Sequence, residues 1–194
     1  MGTTLEQELH NRGFGRLQMH DLCQKYIQPG WHCLDVGAHA GSMSWAMLRA
    51  LKGTGRVWAW EPDSLVYDRY LSRRRFDNFN SYNRAVWSHT GTCAYAPDAS
   101  PLRVMGTAGQ GSDMVACDAL TDWWLSNGSP DVRLIKISTN NLSDESILQG
   151  ARELIMTARP LIAIENHFKE IDRCLTDMRY GCVQDDFFRV YEPL

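Results

Sequence analysis

The chain carries no excess of positive charge. Its 20 lysines and arginines face 23 acidic residues, for a formal net charge of −3, and a protein built mainly to grip nucleic acid shows the opposite balance. No apolar run reaches the length of a membrane span. The opening MGTTLEQELHNRGFG is polar and lacks an apolar h-region, so no signal peptide is expected, and MGTTLE matches a myristoylation signal poorly. The six cysteines form no Cys-x-x-Cys pair and no His/Cys cluster at zinc spacing, so no metal is expected. Several fall on apolar faces, where a free thiol acts as a small hydrophobe; this fits a reducing compartment, and a cytoplasmic location is the expectation.

What is present reads as one domain over 1–194, with residues 1–28 as an N-terminal helical segment. A chain of this length buries roughly 70% of its unfolded surface, so it folds without disulfides or metal. Met19, Leu22, Cys23 and Tyr26 lie on one face of a helix over 16–28, stopped by Pro29-Gly30. Short apolar strands are expected at 33–36, 57–60, 83–87, 114–117, 132–137 and 160–164, with a closing strand at 187–191. Residues 93–95 would continue a hairpin after the 89–91 turn. Helices fall at 42–52, from Asp63 or Ser64 to 75, at 118–125, around Ile147–Ile155 and around Phe168–Met178. Residues 97–113 read as a loop, either a lid over a substrate or a surface insertion. Strands alternating with helices, each strand a continuous apolar run, predict an α/β fold: doubly wound, with a mostly parallel central sheet and helices on both faces.

The segment Asp35-Val36-Gly37-Ala38-His39-Ala40-Gly41 joins the first strand to a helix that starts near Ser42. Gly37 permits a tight turn, and the helix start offers free N–H groups and a positive dipole end. Glu61 follows Gly41 by twenty residues, at the end of the next strand in Trp60-Glu61-Pro62. A carboxylate there can accept both hydroxyls of a ribose, and open α/β sheets bind ligands at the carboxyl ends of their strands. The hydride-cofactor fingerprint would need glycine where His39 and Ser42 stand, which makes a nicotinamide-dependent oxidoreductase a poor fit. The phosphate loop Gly-x-x-x-x-Gly-Lys-Ser/Thr is missing. The remaining acid-x-Gly-x-x-x-Gly pattern resembles motif I of class I S-adenosylmethionine methyltransferases.

Several further segments resemble one family, the FkbM-type methyltransferases, in the family's order over about residues 30–166. LDVGAHAG resembles its DVGAN-x-G, and VWAWEPD its V-x-A-F-E-P. NRAVWSHTGT is similar to the strand and turn beside the adenine, and CDALTDWW to a T-L-D-D-L segment. VRLIKIS, LQGARELI and RPLIAIEN are similar to V-D-L-I-K-I-D, L-K-G-A and R-P-x-I-x-x-E. The resemblance implies a Rossmann-like fold, S-adenosylmethionine as methyl donor, and transfer to an oxygen of a sugar, polyketide, lipid or other small acceptor. It implies that Asp35, Gly37, Ala38, Gly41 and Glu61 hold the cofactor, with Ser42 and Pro62 beside them. His39 stands where the family has Asn and can still donate a hydrogen bond, and Ala85 and Val86 lie near the adenine through their backbone.

The chain departs from the family where K-I-D-x-E-G becomes Lys136-Ile137-Ser138-Thr139-Asn140-Asn141, with one residue inserted before Leu148. Both carboxylates and the glycine are lost beside the expected methyl group. A hydroxyl acceptor needs a proton acceptor. Lys136, Glu165 and His167 are the catalytic candidates, being polar groups at the carboxyl ends of adjacent strands; the alternative is a Lys136 paired with a carboxylate and a structural Glu165. Asp144 and Glu145 suit a helix first turn. Two other readings stand: a cofactor-binding protein without activity, and an RNA ribose or cap methyltransferase. The second draws on Arg73-Arg74-Arg75, an acceptor patch or else a solvated helix face. No membrane partner is expected. The chain is short for the class at its C-terminal end, so abbreviated last strands with an open edge would favour a homodimer.

Overall fold

The computed structural model describes residues 20–74, 76–97, 107–139, 143–165, 169–185 and 188–194. The apolar runs become β1 (His32–Val36), β2 (Arg56–Trp60), β8 (Val132–Ile137) and β9 (Leu161–Glu165), and with β3 (Phe79–Tyr82), which was not expected, they all pair in parallel. Beyond β9 lie β11 (Phe188–Pro193) and β10 (Tyr180–Asp185), both antiparallel to their neighbours. The sheet runs β10-β11-β9-β8-β1-β2-β3. Parallel neighbours require long crossovers. These carry α2 (Ser42–Ala50), α3 (Ser64–Val66) with a wider turn over Tyr67–Leu71, α4 (Leu120–Ser126), α5 (Asp144–Gly150), α6 (Arg152–Ala158) and α7 (Lys169–Asp177). A helix α1 covers 20–26, the described part of the expected 16–28.

Alternation within each strand divides the core. Leu34, Val36, Trp58, Trp60, Ile135, Ile137, Ile162 and Ile164 face Leu120, Trp123, Ile147, Leu154 and Leu175 of α4–α7. Cys33, Val57, Ala59, Leu134 and Ala163 face Leu22, Cys23, Met43 and Met47 of α1 and α2. Helices therefore cover both faces of a mostly parallel sheet, as the continuous apolar runs require. Four of the seven tryptophans are buried; Trp58 and Trp60 each meet Trp123 edge-on at 5.1 Å. All six cysteines are free. No helix among the described residues is long and apolar enough to cross a membrane.

Three segments differ from expectation. The strand expected at 83–87 is mostly not formed: the first sheet ends before it, at Tyr82 of β3, and within it only Ala85–Val86 (β4) is extended. β4 joins a second sheet, β4-β7-β5-β6, with β5 (Gly91–Ala96), β6 (Thr107–Ala108) and β7 (Asp113–Asp118). The break falls at Asn83 and Arg84, whose side chains bind backbone elsewhere: Asn83 donates to Glu61 O and Pro62 O, and Arg84 to Cys117 O. Part of the 97–113 loop is thus strand, and 98–106 lies outside the described residues. At the C-terminal end, β10 was not foreseen, because Gly181 and a half-exposed surface break its apolar alternation.

Candidate functional site

At the carboxyl end of β1 the chain makes a turn held by β2: the N–H groups of Gly37 and Ala38 both donate to Trp60 O, at 3.1 and 2.9 Å. Gly37 has φ +70°, and a Cβ there would lie 2.0 Å from the Ser138 carbonyl oxygen. Only glycine lets the turn press so closely on the end of β8. His39 also has positive φ (48°), and Gly41 (φ 78°) is the N-cap of α2. The turn sits between β1 and β8, where the strand order reverses direction, which is where open α/β sheets bind ligands.

Glu61 closes the turn from the end of β2. Its Oε2 accepts the His39 N–H at 2.8 Å and its Oε1 the Asp63 N–H at 2.9 Å. The side chain is buried, which pushes its carboxyl up to about 7 against the two N–H bonds that favour the charged form. Each oxygen keeps a further acceptor site, so the group fits a vicinal diol laid beside the turn. Ser42 opens α2 at the surface, while Pro62 follows Glu61 and gives its carbonyl to Asn83. Ala85 and Val86 are buried in β4, paired with Cys117 and Asp118 of β7.

Beneath the turn lies an ion pair. The β1–β8 register sets Asp35 beside Lys136, and Nζ stands 2.9 Å from Oδ1, with both side chains buried. Lys136 also donates to Gly37 O at 2.9 Å and Val36 O at 3.3 Å, and Ser44 donates to Asp35 Oδ2. The ammonium thus ties the acid to the carbonyls of the turn. Arg74 braces the turn from outside, donating to Ala40 O and Tyr70 O at 2.9 Å each and lying 5.8 Å over Trp45. Of the arginine run, then, Arg73 is exposed, Arg74 is a strut of the turn rather than a solvated face, and Arg75 lies outside the described residues.

The ends of β8 and β9 bring together what the altered K-I-S-T segment had left open. Ser138 Oγ donates to Glu165 Oε2, and Thr139 Oγ1 donates to Asp144 Oδ1. Asp144, read from sequence as a helix-end charge, is 0% exposed, and its Oδ2 has no hydrogen-bond partner among the described residues. Burial pushes its carboxyl up to about 7; Glu165 adds to the rise, while Thr139 and Lys136 oppose it. Asn140, Asn141 and His167 lie outside the described residues.

No family model and no curated protein matches the chain in sequence. Solved structures do match it. A methyltransferase FkbM from Methylobacillus flagellatus KT aligns with TM-score 0.60 at 19% identity, over 86% of this chain and 44% of that one. A SAM dependent methyltransferase from Aquifex aeolicus gives 0.52 at 16% identity, over 90% and 88%. An rRNA methylase from Streptococcus thermophilus gives 0.52 at 14%, over 91% and 95%. The chain spans less than half of the FkbM structure. The fold is the Rossmann-like one that these methyltransferases share.

Proposed function

We propose that the chain is an S-adenosylmethionine-dependent methyltransferase acting on a hydroxyl of a small-molecule, sugar or lipid acceptor. The observation that carries this reading is the buried Glu61 carboxylate bonded to the His39 N–H across the Gly37–Gly41 turn. The donor set fits the cofactor. Glu61 takes the ribose hydroxyls; Gly37, Ala38, His39, Gly41 and Ser42 present backbone to it; and Pro62, Ala85 and Val86 flank the adenine. When bound, the cofactor supplies a methyl group already activated for displacement.

The protein's own work is to align the acceptor and take its proton. Lys136 acts as a positioning residue in this reading, because Asp35, Val36 and Gly37 engage its ammonium. Glu165, oriented by Ser138, and His167 are the proton acceptors. The reading as an inactive cofactor binder rested on the lost carboxylates at 138 and 140; Glu165 and Asp144 restore carboxylates to that end of the sheet and favour the enzyme.

Calorimetric titration with S-adenosylmethionine and S-adenosylhomocysteine tests the proposal. Micromolar binding is expected, weakened roughly 10- to 100-fold by Glu61→Ala through loss of charged hydrogen bonds. Folded protein that binds neither ligand would remove the enzyme reading.

A further inference from the structure

The end of the sheet opposite the Gly37–Gly41 turn holds a concavity that has no role in the reading above. Trp31 stands just before β1 and Gly37 just after it, so the length of that strand, about 16 Å, separates the two places. The concavity has a volume of about 390 Å³. Lys25 and Tyr26 of α1, Trp31, Arg133 of β8, Arg159 after α6 and Glu192 of β11 are among its lining. Three cations from three separate elements thus share one small surface with a single carboxylate.

Their partners leave most of that charge standing. Lys25 Nζ donates to Gln184 Oε1 at 2.8 Å, an uncharged group that also accepts the Tyr26 hydroxyl at 3.1 Å. Arg159 gives two N–H groups to the carbonyls of Met178 and Arg179, at 2.7 Å each. Arg133 meets Asp131 at 3.6 Å, but the two side chains are 46% and 75% exposed, and a pair so exposed is weak. Two rings lie within the same lining: Arg133 sits 5.8 Å over Trp31, and Lys25 4.8 Å over Tyr26. Each cation is held beside a flat apolar surface, so one ligand can set an anionic group on the cations and a ring against Trp31 or Tyr26.

Charge and size select the ligand. Three cations against Glu192 leave a surplus of two positive charges. A phosphate monoester carries about −1.5 to −2 at neutral pH, a closer match than the single charge of a carboxylate. The guanidinium fork also suits phosphate oxygens. A concavity of this volume is the size that holds one small molecule. We propose that it binds a small organic phosphate monoester that carries a ring, at a site separate from the cofactor turn. The phosphate meets Lys25 and Arg133, and Arg159 adds its charge from a fixed position. The site stands whether or not the turn holds S-adenosylmethionine.

Phenyl phosphate is the probe, because it has the ring and the dianion but no ribose hydroxyls for Glu61. Calorimetric titration of the full chain at low salt and about pH 7.5, where the ester is a dianion, should give a Kd of about 1 mM or tighter. Inorganic phosphate should bind at least about 10-fold more weakly, and benzyl alcohol should not bind. Arg133→Gln and Lys25→Gln, both at exposed positions, should each weaken phenyl phosphate roughly 10-fold. Glu192→Gln removes the one acid of the lining and should tighten it about 3-fold, a direction that damage to the fold does not produce. Arg159 is left in place because it bonds two backbone carbonyls. Folded protein that ignores phenyl phosphate would overturn the proposal. Equal binding of inorganic phosphate or benzyl alcohol would do the same, as would an affinity that all three substitutions leave unchanged. Loss of the probe on saturation with S-adenosylhomocysteine would place it at the turn instead and overturn the second site. A single-stranded RNA oligonucleotide that binds more tightly, and loses that affinity to Arg133→Gln, would make the surface a nucleic-acid site and remove the small-ligand reading.

Discussion

Asp35 and Lys136 meet because one strand register sets them side by side, with both side chains buried. Such a pair contributes little net stability when intact, but removing one partner strands the other charge. Lys136→Met should therefore cost about 3–5 kcal/mol in urea unfolding, and adding Asp35→Asn should recover part of that. Glu61 and Asp144 bring a second effect. Their carboxyls titrate at 4.5 and 3.8 when free and near 7 in the fold. The folded state thus holds protons that the unfolded chain has released. Stability is greatest below about pH 4 on this account, falls as pH rises towards 7, and is flat above it. Each group contributes at most about 1.4 kcal/mol per pH unit. Denaturant melts from pH 5 to 8 should show Asp144→Asn removing part of the slope and gaining stability at pH 8. His39 has positive φ, a conformation that Asn and His tolerate and β-branched residues do not. His39→Asn should be nearly silent, and His39→Val should cost about 1–3 kcal/mol in the same assay.

At the scale of elements, one contact inverts an ordinary expectation. Gly150 ends α5, and a Cβ there would lie 2.1 Å from the Trp87 carbonyl oxygen, at the edge of the second sheet. Glycine to alanine in a helix normally stabilises by up to about 1 kcal/mol. Here it must push two elements apart, and Gly150→Ala should lower the melting temperature, at a cost of about 1–3 kcal/mol. The same contact gives a structural reason for the glycine of the LQGA segment. Elements with a clean local period were legible in the sequence: β1, β2, β8 and β9 fall within a residue or two of their expected bounds. Legibility failed at β4. β4 breaks from β3 because Asn83 and Arg84 bind backbone outside their own strand, and its pairing with β7 shows only in three dimensions.

For the whole molecule, the cofactor reading makes a thermal prediction. A ligand at 100 times its Kd stabilises the folded state by about 2.7 kcal/mol. In a chain of this size that is a rise of about 5–10 °C in melting temperature. Saturating S-adenosylhomocysteine should produce it, and Glu61→Ala should lose most of it; an unmoved melting curve would count against the site.

Alternation of short apolar runs with amphipathic helices was enough by itself to set the α/β class, because burial on both faces of a parallel sheet writes itself into local sequence. The positions of the glycine turn and Glu61 were likewise legible, since each stands at the end of a strand; Lys136 was named as a catalytic candidate, and the structure pairs it with Asp35. Tertiary structure alone decided what those residues do to one another. It set Asp35 against Lys136 through strand register, turned Arg74 inward onto the Ala40 carbonyl, and closed Asp144 inside the protein beside Thr139. The physical reason is distance along the chain: the Lys136–Val36 bond joins residues 100 positions apart, and no local period records which distant groups a fold brings into contact.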